Sequence, residues 1–305
     1  MTIRTHQFAN GFRVASEAMP ALKTVSIGIW IKAGARHETK SETGIAHFLE
    51  HMLFLGSKKY PEEGYLDKFL GKNGGMNNAY TDDFHTVYYI SVLDEAFEEA
   101  MDILSRFFID PLFNETAVNR EINAINSEHM KNINSDLWRA HHFIDFISKK
   151  NSAINKFSTG NIKSLNKPNV RENMIKFYER YYISTKISVT TISSKKSSVV
   201  NNMIKNSFGM IKRKESPKDK LFDFPIFKPF YNKGNEYFYL KSITKSNTII
   251  YLWETPLFYN YYTDNLSPYF AIRALFAVTT CFLFLSALKT NFFAGPSAPP
   301  ISSTT

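Results

Sequence analysis

His47-Phe48-Leu49-Glu50-His51 sets two imidazoles and a carboxylate inside the apolar run from Ile45 to Leu55. On a helix, at about 100° per residue, the two histidines stand about 40° apart, and Glu50 stands about 60° to the other side of His47. All three share one face. Buried without partners, three such groups would cost on the order of several kcal/mol, so the pattern reads as a site rather than as core histidines satisfied by backbone carbonyls. Two imidazoles at this spacing can share one metal ion, while the carboxylate reaches a water without being a ligand.

An open three-ligand zinc site needs one more protein ligand. Cys281 is the sole cysteine, which excludes a Cys-based zinc cluster and an internal disulfide framework and fits a reducing compartment. The ligand must be a histidine or a carboxylate. A helix expected from Glu115 to about Asn134 carries Glu121 and, seven residues on, Glu128, about 20° from the same face and followed by His129. Spacing does not separate Glu128 from His129. Glu121 suits an outer partner that holds a ligand in place, or else an ordinary exposed helix carboxylate.

The elements that must position these residues are partly legible. Asn10-Gly11 suits a tight turn, so the chain is expected to begin as a β-hairpin over residues 8–14. Residues 24–32 alternate Val25, Ile27, Ile29 and Ile31 with smaller or polar neighbours, the period of a strand with one apolar face. Residues 42–55 and 61–70 read as helices and 85–92 as a strand, with His85 read as structural. Asp94 and Asn114 are candidate caps for two further helices. A helix near 171–181, a strand at 187–192 and a helix at 197–210 complete an α+β, two-layer arrangement. Residues 212–220 have no apolar side chain and read as a linker, dividing a first domain (1–211) from the start of a second, incomplete one (221–290). Within the latter, 237–241 and 248–253 look like strands. The small, polar, Pro-rich residues 291–305 read as a disordered tail.

Composition bounds the rest. With 305 residues, 44% of them hydrophobic, the chain can fill one large or two ordinary cores, which excludes a wholly disordered or collagen-like protein. The net charge of +9 is uneven: residues 1–141 carry 14 basic and 19 acidic side chains (−5), and residues 142–220 carry 17 and 5 (+12). That basic stretch lacks interleaved Gly-aromatic signatures and reads as solvated helix surface, so no nucleic acid partner is expected. No signal-peptide core is visible, and a cytoplasmic location is expected, with a mitochondrial one as the alternative. Residues 274–288 lack formal charge but fall short of the ~20 needed to span a bilayer. A buried helix is the expectation there, and a membrane anchor the alternative.

Taken together, H-F-L-E-H-M-L-F-L-G-S-K-K-Y-P, N-N-A-Y, D-P-L-F, N-R-E-I-N-A-I-N-S-E-H, D-x-W-R and K-F-S-T-G-N resemble, in order over about residues 8–210, the insulinase/pitrilysin family of zinc metallopeptidases, whose H-x-x-E-H order is the inverzincin arrangement. The opening N-G-x-R-V looks more like mitochondrial and bacterial processing peptidases, and residues 52–161 more like the insulin-degrading branch. The resemblance implies an insulinase-type fold and a zinc-dependent endopeptidase holding one Zn2+ per chain. It implies His47, His51 and Glu128 as ligands and Glu121 as outer support. Glu50 would be the general base and water at the metal the nucleophile. Asn78, Ala79 and Tyr80 match the edge-strand segment that adds a peptide or small protein substrate as an extra strand. Family members enclose a chamber with two halves, so a second half or partner subunit is implied. A half-site subunit that binds zinc and peptides but lacks activity alone is the alternative.

Overall fold

The computed structural model describes residues 3–39, 41–150, 155, 157–211, 237–244 and 248–250. The described residues all fall in one compact unit. β1 (Arg4–Gln7) pairs antiparallel with β2 (Arg13–Ala18), Gln7 opposite Arg13. Asn10-Gly11 therefore sits in a loop over residues 8–12, closed by Phe8 N–H to Phe12 O at 2.9 Å, and not in a two-residue turn. β3 (Thr24–Ile31) buries Val25, Ile27, Ile29 and Ile31, as its alternation predicts. There follow α1 (Ile45–Leu53), α2 (Tyr65–Lys72), β4 (Met76–Thr81), β5 (Thr86–Leu93), α3 (Phe97–Ile109), α4 (Val118–Asn132) and α5 (Asp136–Ile147). Short α6 (Ile162–Leu165), α7 (Val170–Tyr181), β6 (Ile187–Ser193) and α8 (Ser197–Phe208) complete the order.

The strands form one mixed sheet in the order β1-β2-β6-β3-β5-β4, antiparallel except where β2 runs parallel to β6. The apolar face of its central strands joins one core with Phe48 and Leu49 of α1, Met101 and Leu104 of α3, Phe177 of α7 and Ile204 of α8. The opposite face leaves Trp30, Met76, Tyr80 and Ile192 exposed. This is the two-layer α+β arrangement expected. Burying a large side chain such as Phe48 or Phe177 stabilises the fold by roughly 1.5–3 kcal/mol.

The expected helices and strands between residues 8 and 211 appear with ends shifted by a few residues. Two helices were not anticipated: α5, which carries no buried residue and so lacks a strong apolar stripe, and the single turn of α6. Residues 237–241, expected as a strand, are irregular. Tyr237 and Tyr239 are more than nine-tenths exposed. Just beyond them, the N–H groups of Ile243 and Thr244 donate to the Asp136 carboxylate at 2.9 and 3.0 Å, and a side chain thus takes the place of a strand ladder. Residues 248–250 are irregular as well. The remainder of that expected strand, the linker 212–220, the apolar segment 274–288 and the tail 291–305 lie outside the described residues. Among the described residues, no helix is long and apolar enough to cross a membrane.

Candidate metal centre

α1 is helical because Ile45, Ala46, Phe48, Leu49, Met52 and Leu53 all bury against the sheet side, which leaves His47 and His51 to look along the helix toward α4. Its N-terminus lacks a capping side chain at Gly44. Glu38 supplies one from outside, its carboxylate accepting from Gly44 N–H at 2.9 Å and Ala46 N–H at 2.8 Å. A negative charge at that end also suits the helix dipole.

α4 carries Glu121 and Glu128 on the side that meets α1. His47 Nε2 lies 3.6 Å and His51 Nε2 3.7 Å from Glu128 Oε2, and His51 Nδ1 lies 3.5 Å from Glu121 Oε2. The imidazole planes stand at 90°, centroids 4.8 Å apart. One donor atom from each of His47, His51 and Glu128 falls within 4.8 Å of the others. Bonds of about 2.0–2.2 Å around a tetrahedral centre put ligand atoms about 3.3–3.6 Å apart, so this donor set fits one zinc ion with small adjustments. The structure thus brings together the two histidines and Glu128, with Glu121 behind His51. His129 lies elsewhere, its ring 5.2 Å from Phe157 and 6.2 Å from His142. His85 sits beside Asp82, 3.7 Å away, outside the cluster.

Charge is balanced tightly here. Burial lowers the basicity of His51 more than any other single influence, but bonds to Glu121 and Glu128 together outweigh it and raise the imidazole to about 9. A cation placed among the same carboxylates would take the place of that proton. Glu128 and Glu121 are both held below the usual carboxylate range, chiefly by their bonds with His51. Glu50 is 7% exposed, and burial pushes its carboxyl upward against the pull of His47 and of a hydrogen bond from Thr81.

Thr81 Oγ1 donates to Glu50 Oε2 at 2.5 Å from the end of β4. β4 has one partner among the described strands, β5, so its other side is an edge. Asn78, Ala79 and Tyr80 occupy its middle, opposite Tyr89, Tyr88 and Val87, with Asn78 and Tyr80 exposed. Sequence reasoning missed Thr81, the carbonyl of Thr159 that meets His47 Nδ1 at 2.7 Å, and Asn132, which bonds Glu128. The available signals were the Thr that follows N-N-A-Y and the F-S-T-G-N run. Neither states what it touches until the fold is known.

A mixed sheet carrying a His-His-Glu cluster beside a buried carboxylate agrees with what comparison shows. The sequence profile of the insulinase family (peptidase family M16) matches residues 13–148. Insulin-degrading enzyme of Homo sapiens is 34% identical over 226 residues, 72% of this chain and 22% of that protein. The insulin-degrading enzyme homolog of Dictyostelium discoideum is 39% identical over 180 residues, 59% of this chain and 19% of that one. The crystal structure of pitrilysin superposes with a TM-score of 0.68 at 29% identity, covering 71% of this chain and 24% of pitrilysin. Residues 13–148 are an insulinase (peptidase M16) domain, homologous to insulin-degrading enzyme and pitrilysin, and the sheet and helices follow the pitrilysin fold. It spans about a quarter of the length of these relatives.

Proposed function

We propose that this chain is the zinc-binding domain of a metal-dependent endopeptidase, with His47, His51 and Glu128 as ligands to one Zn2+, Glu121 as their outer support and Glu50 as general base. The observation that carries the reading is the gathering of the three donor atoms within 4.8 Å, with a buried carboxylate one residue from a ligand. Zinc held there would supply Lewis acidity, which polarises a peptide carbonyl and eases deprotonation of water. Glu50 takes that proton and returns it to the leaving amine. A carboxyl raised by burial is better matched to neutral pH as a base than an ordinary glutamate.

Substrate, a peptide or small protein, adds as a strand along Asn78-Ala79-Tyr80, whose edge, unpaired among the described strands, offers main-chain hydrogen bonds and tolerates many side chains. Residues 1–211 form the working domain, 212–220 a linker and 221–290 the beginning of another. A cytoplasmic location, or a mitochondrial one, fits the single cysteine. Because the chain spans about a quarter of its relatives, a half-site reading stands beside the first: zinc and peptide bind here, and turnover needs a second half. Hydrolysis of a quenched peptide by the zinc-loaded chain, alone and with a candidate partner half, tests both. Turnover abolished by chelation and restored by zinc supports the enzyme. Turnover only with the partner supports the half-site, and none in either arm overturns the peptidase reading.

A further inference from the structure

Residues 159–162 touch both helices that bear the cluster. His47 Nδ1 lies 2.7 Å from the carbonyl of Thr159, which can only accept, so Nδ1 carries a proton and Nε2 is the ring atom turned toward Glu128. Three residues on, the backbone N–H of Ile162 donates to Asn126 Oδ1 at 3.2 Å, and Asn126 stands two residues before Glu128 on α4. Asn161 fixes the loop between these points by accepting from Ser164 N–H at 3.0 Å, while its own N–H donates to Ser164 Oγ at the same distance. Glycine makes the approach possible. Gly160 has φ +75°, and a Cβ there would meet Leu165 Cδ1 at 3.0 Å and Gly44 Cα at 3.1 Å. From the other side, a Cβ on Gly44 would meet Gly160 Cα at 2.5 Å. The loop is therefore seated on the first turn of α1, with no room for a side chain between them.

We infer that the Thr159–Ile162 loop is a positioning clamp for the metal centre, which selects the His47 tautomer and sets the spacing of the two ligand helices. The inference rests on the zinc reading above. Outer partners of metal-bound histidines typically change metal affinity by 10- to 100-fold when removed. A carbonyl cannot be deleted by substitution, so the clamp is loosened through Gly160→Ala, which strains the seat, and Asn126→Ala, which releases the α4 end. Ile204→Ala, a core truncation on α8, serves as the control for general destabilisation.

The measurement is zinc affinity of the full chain by competition with a chelating dye, together with the visible absorption spectrum of the cobalt-loaded protein and melting in excess chelator. Gly160→Ala is expected to bind zinc at least ~10-fold more weakly and Asn126→Ala ~3-fold or more, both with an altered cobalt spectrum. Ile204→Ala is expected to lower the melting point yet leave affinity and spectrum as in wild type. If Gly160→Ala fails to fold, Asn126→Ala decides. Folded variants with wild-type affinity and spectrum overturn the clamp, as does a control that shifts the spectrum equally. A wild-type chain that takes up neither zinc nor cobalt removes the metal reading and the clamp with it, so the two failures are told apart.

Discussion

The proposed reading gives each polar side chain in the cluster a separate task, and substitution should separate them. His47→Ala or His51→Ala removes one of the three proposed ligands and should abolish stoichiometric zinc by elemental analysis. Glu128→Gln should weaken zinc strongly and His129→Ala hardly at all, because Glu128 Oε2 lies within 3.7 Å of both imidazoles while His129 lies against Phe157. The reverse order would move the third ligand to His129. Thr81→Val keeps the shape of the side chain but withdraws the donor to Glu50, so zinc content should stay while kcat falls, on the order of 10-fold. Equal losses of zinc and turnover would show Thr81 to be structural instead. The two histidines, Glu50 and both acidic candidates on α4 were legible because a helix repeats every 3.6 residues, which lets spacing alone place side chains on one face. The choice between Glu128 and His129 was not legible from spacing. Neighbours one residue apart point about 100° from each other, and only the crossing of α1 and α4 decides which of them faces the histidines.

At the scale of elements, sheet and helices were readable where apolar periodicity is strong, as in β3, α1 and α3, and unreadable where burial is slight, as in α5. α5 is held instead through polar contacts: Asp136 accepts from Ile243 and Thr244, and Arg139 donates to the carbonyl of Lys241 at 2.8 Å. Such long-range side-chain bonds leave no periodic mark. α5 also carries Asp145, half-buried, whose carboxyl this partial burial and the neighbouring Asp83 raise to about 7 despite the opposing pull of Arg36. A carboxyl that binds its proton more tightly folded than unfolded favours folding below its unfolded value, and that contribution is lost as pH rises through about 7. Asp145→Asn should therefore raise the melting temperature at pH 8 relative to wild type and flatten the fall between pH 5 and pH 8. A variant whose melting curve parallels wild type across that range would show that Asp145 titrates normally. Gly44→Ala should be costly for a different reason. Gly44 sits at φ +86° against Gly160, so a loss of ~1–3 kcal/mol in chemical denaturation is expected.

For the molecule as a whole, the proposed domain limit at 211 carries a direct consequence for proteolysis. Residues 212–220 hold Lys212, Arg213, Lys214, Lys218 and Lys220 with no apolar side chain to dock, so limited trypsinolysis should cut there first and leave a stable N-terminal fragment. First cuts between residues 60 and 130 would contradict that limit. The exposed face of the sheet and the edge of β4 left unpaired among the described strands lie on a chain that matches only about a quarter of the length of its relatives, which is why activity with and without a second half must be compared.

Metal content of the Glu50→Gln chain, measured beside wild type and beside hydrolysis of a quenched peptide, separates a base from a ligand at residue 50. Gln keeps the size of Glu50 and an amide oxygen that can still accept from Thr81, but cannot take a proton from water. Wild type and Glu50→Gln should each hold close to one zinc per chain, while turnover, with a partner half supplied where it is needed, falls by ~10²-fold or more in the variant. Zinc lost in parallel with activity would place Glu50 in the coordination sphere, and full activity in the zinc-loaded variant would contradict its role as the base.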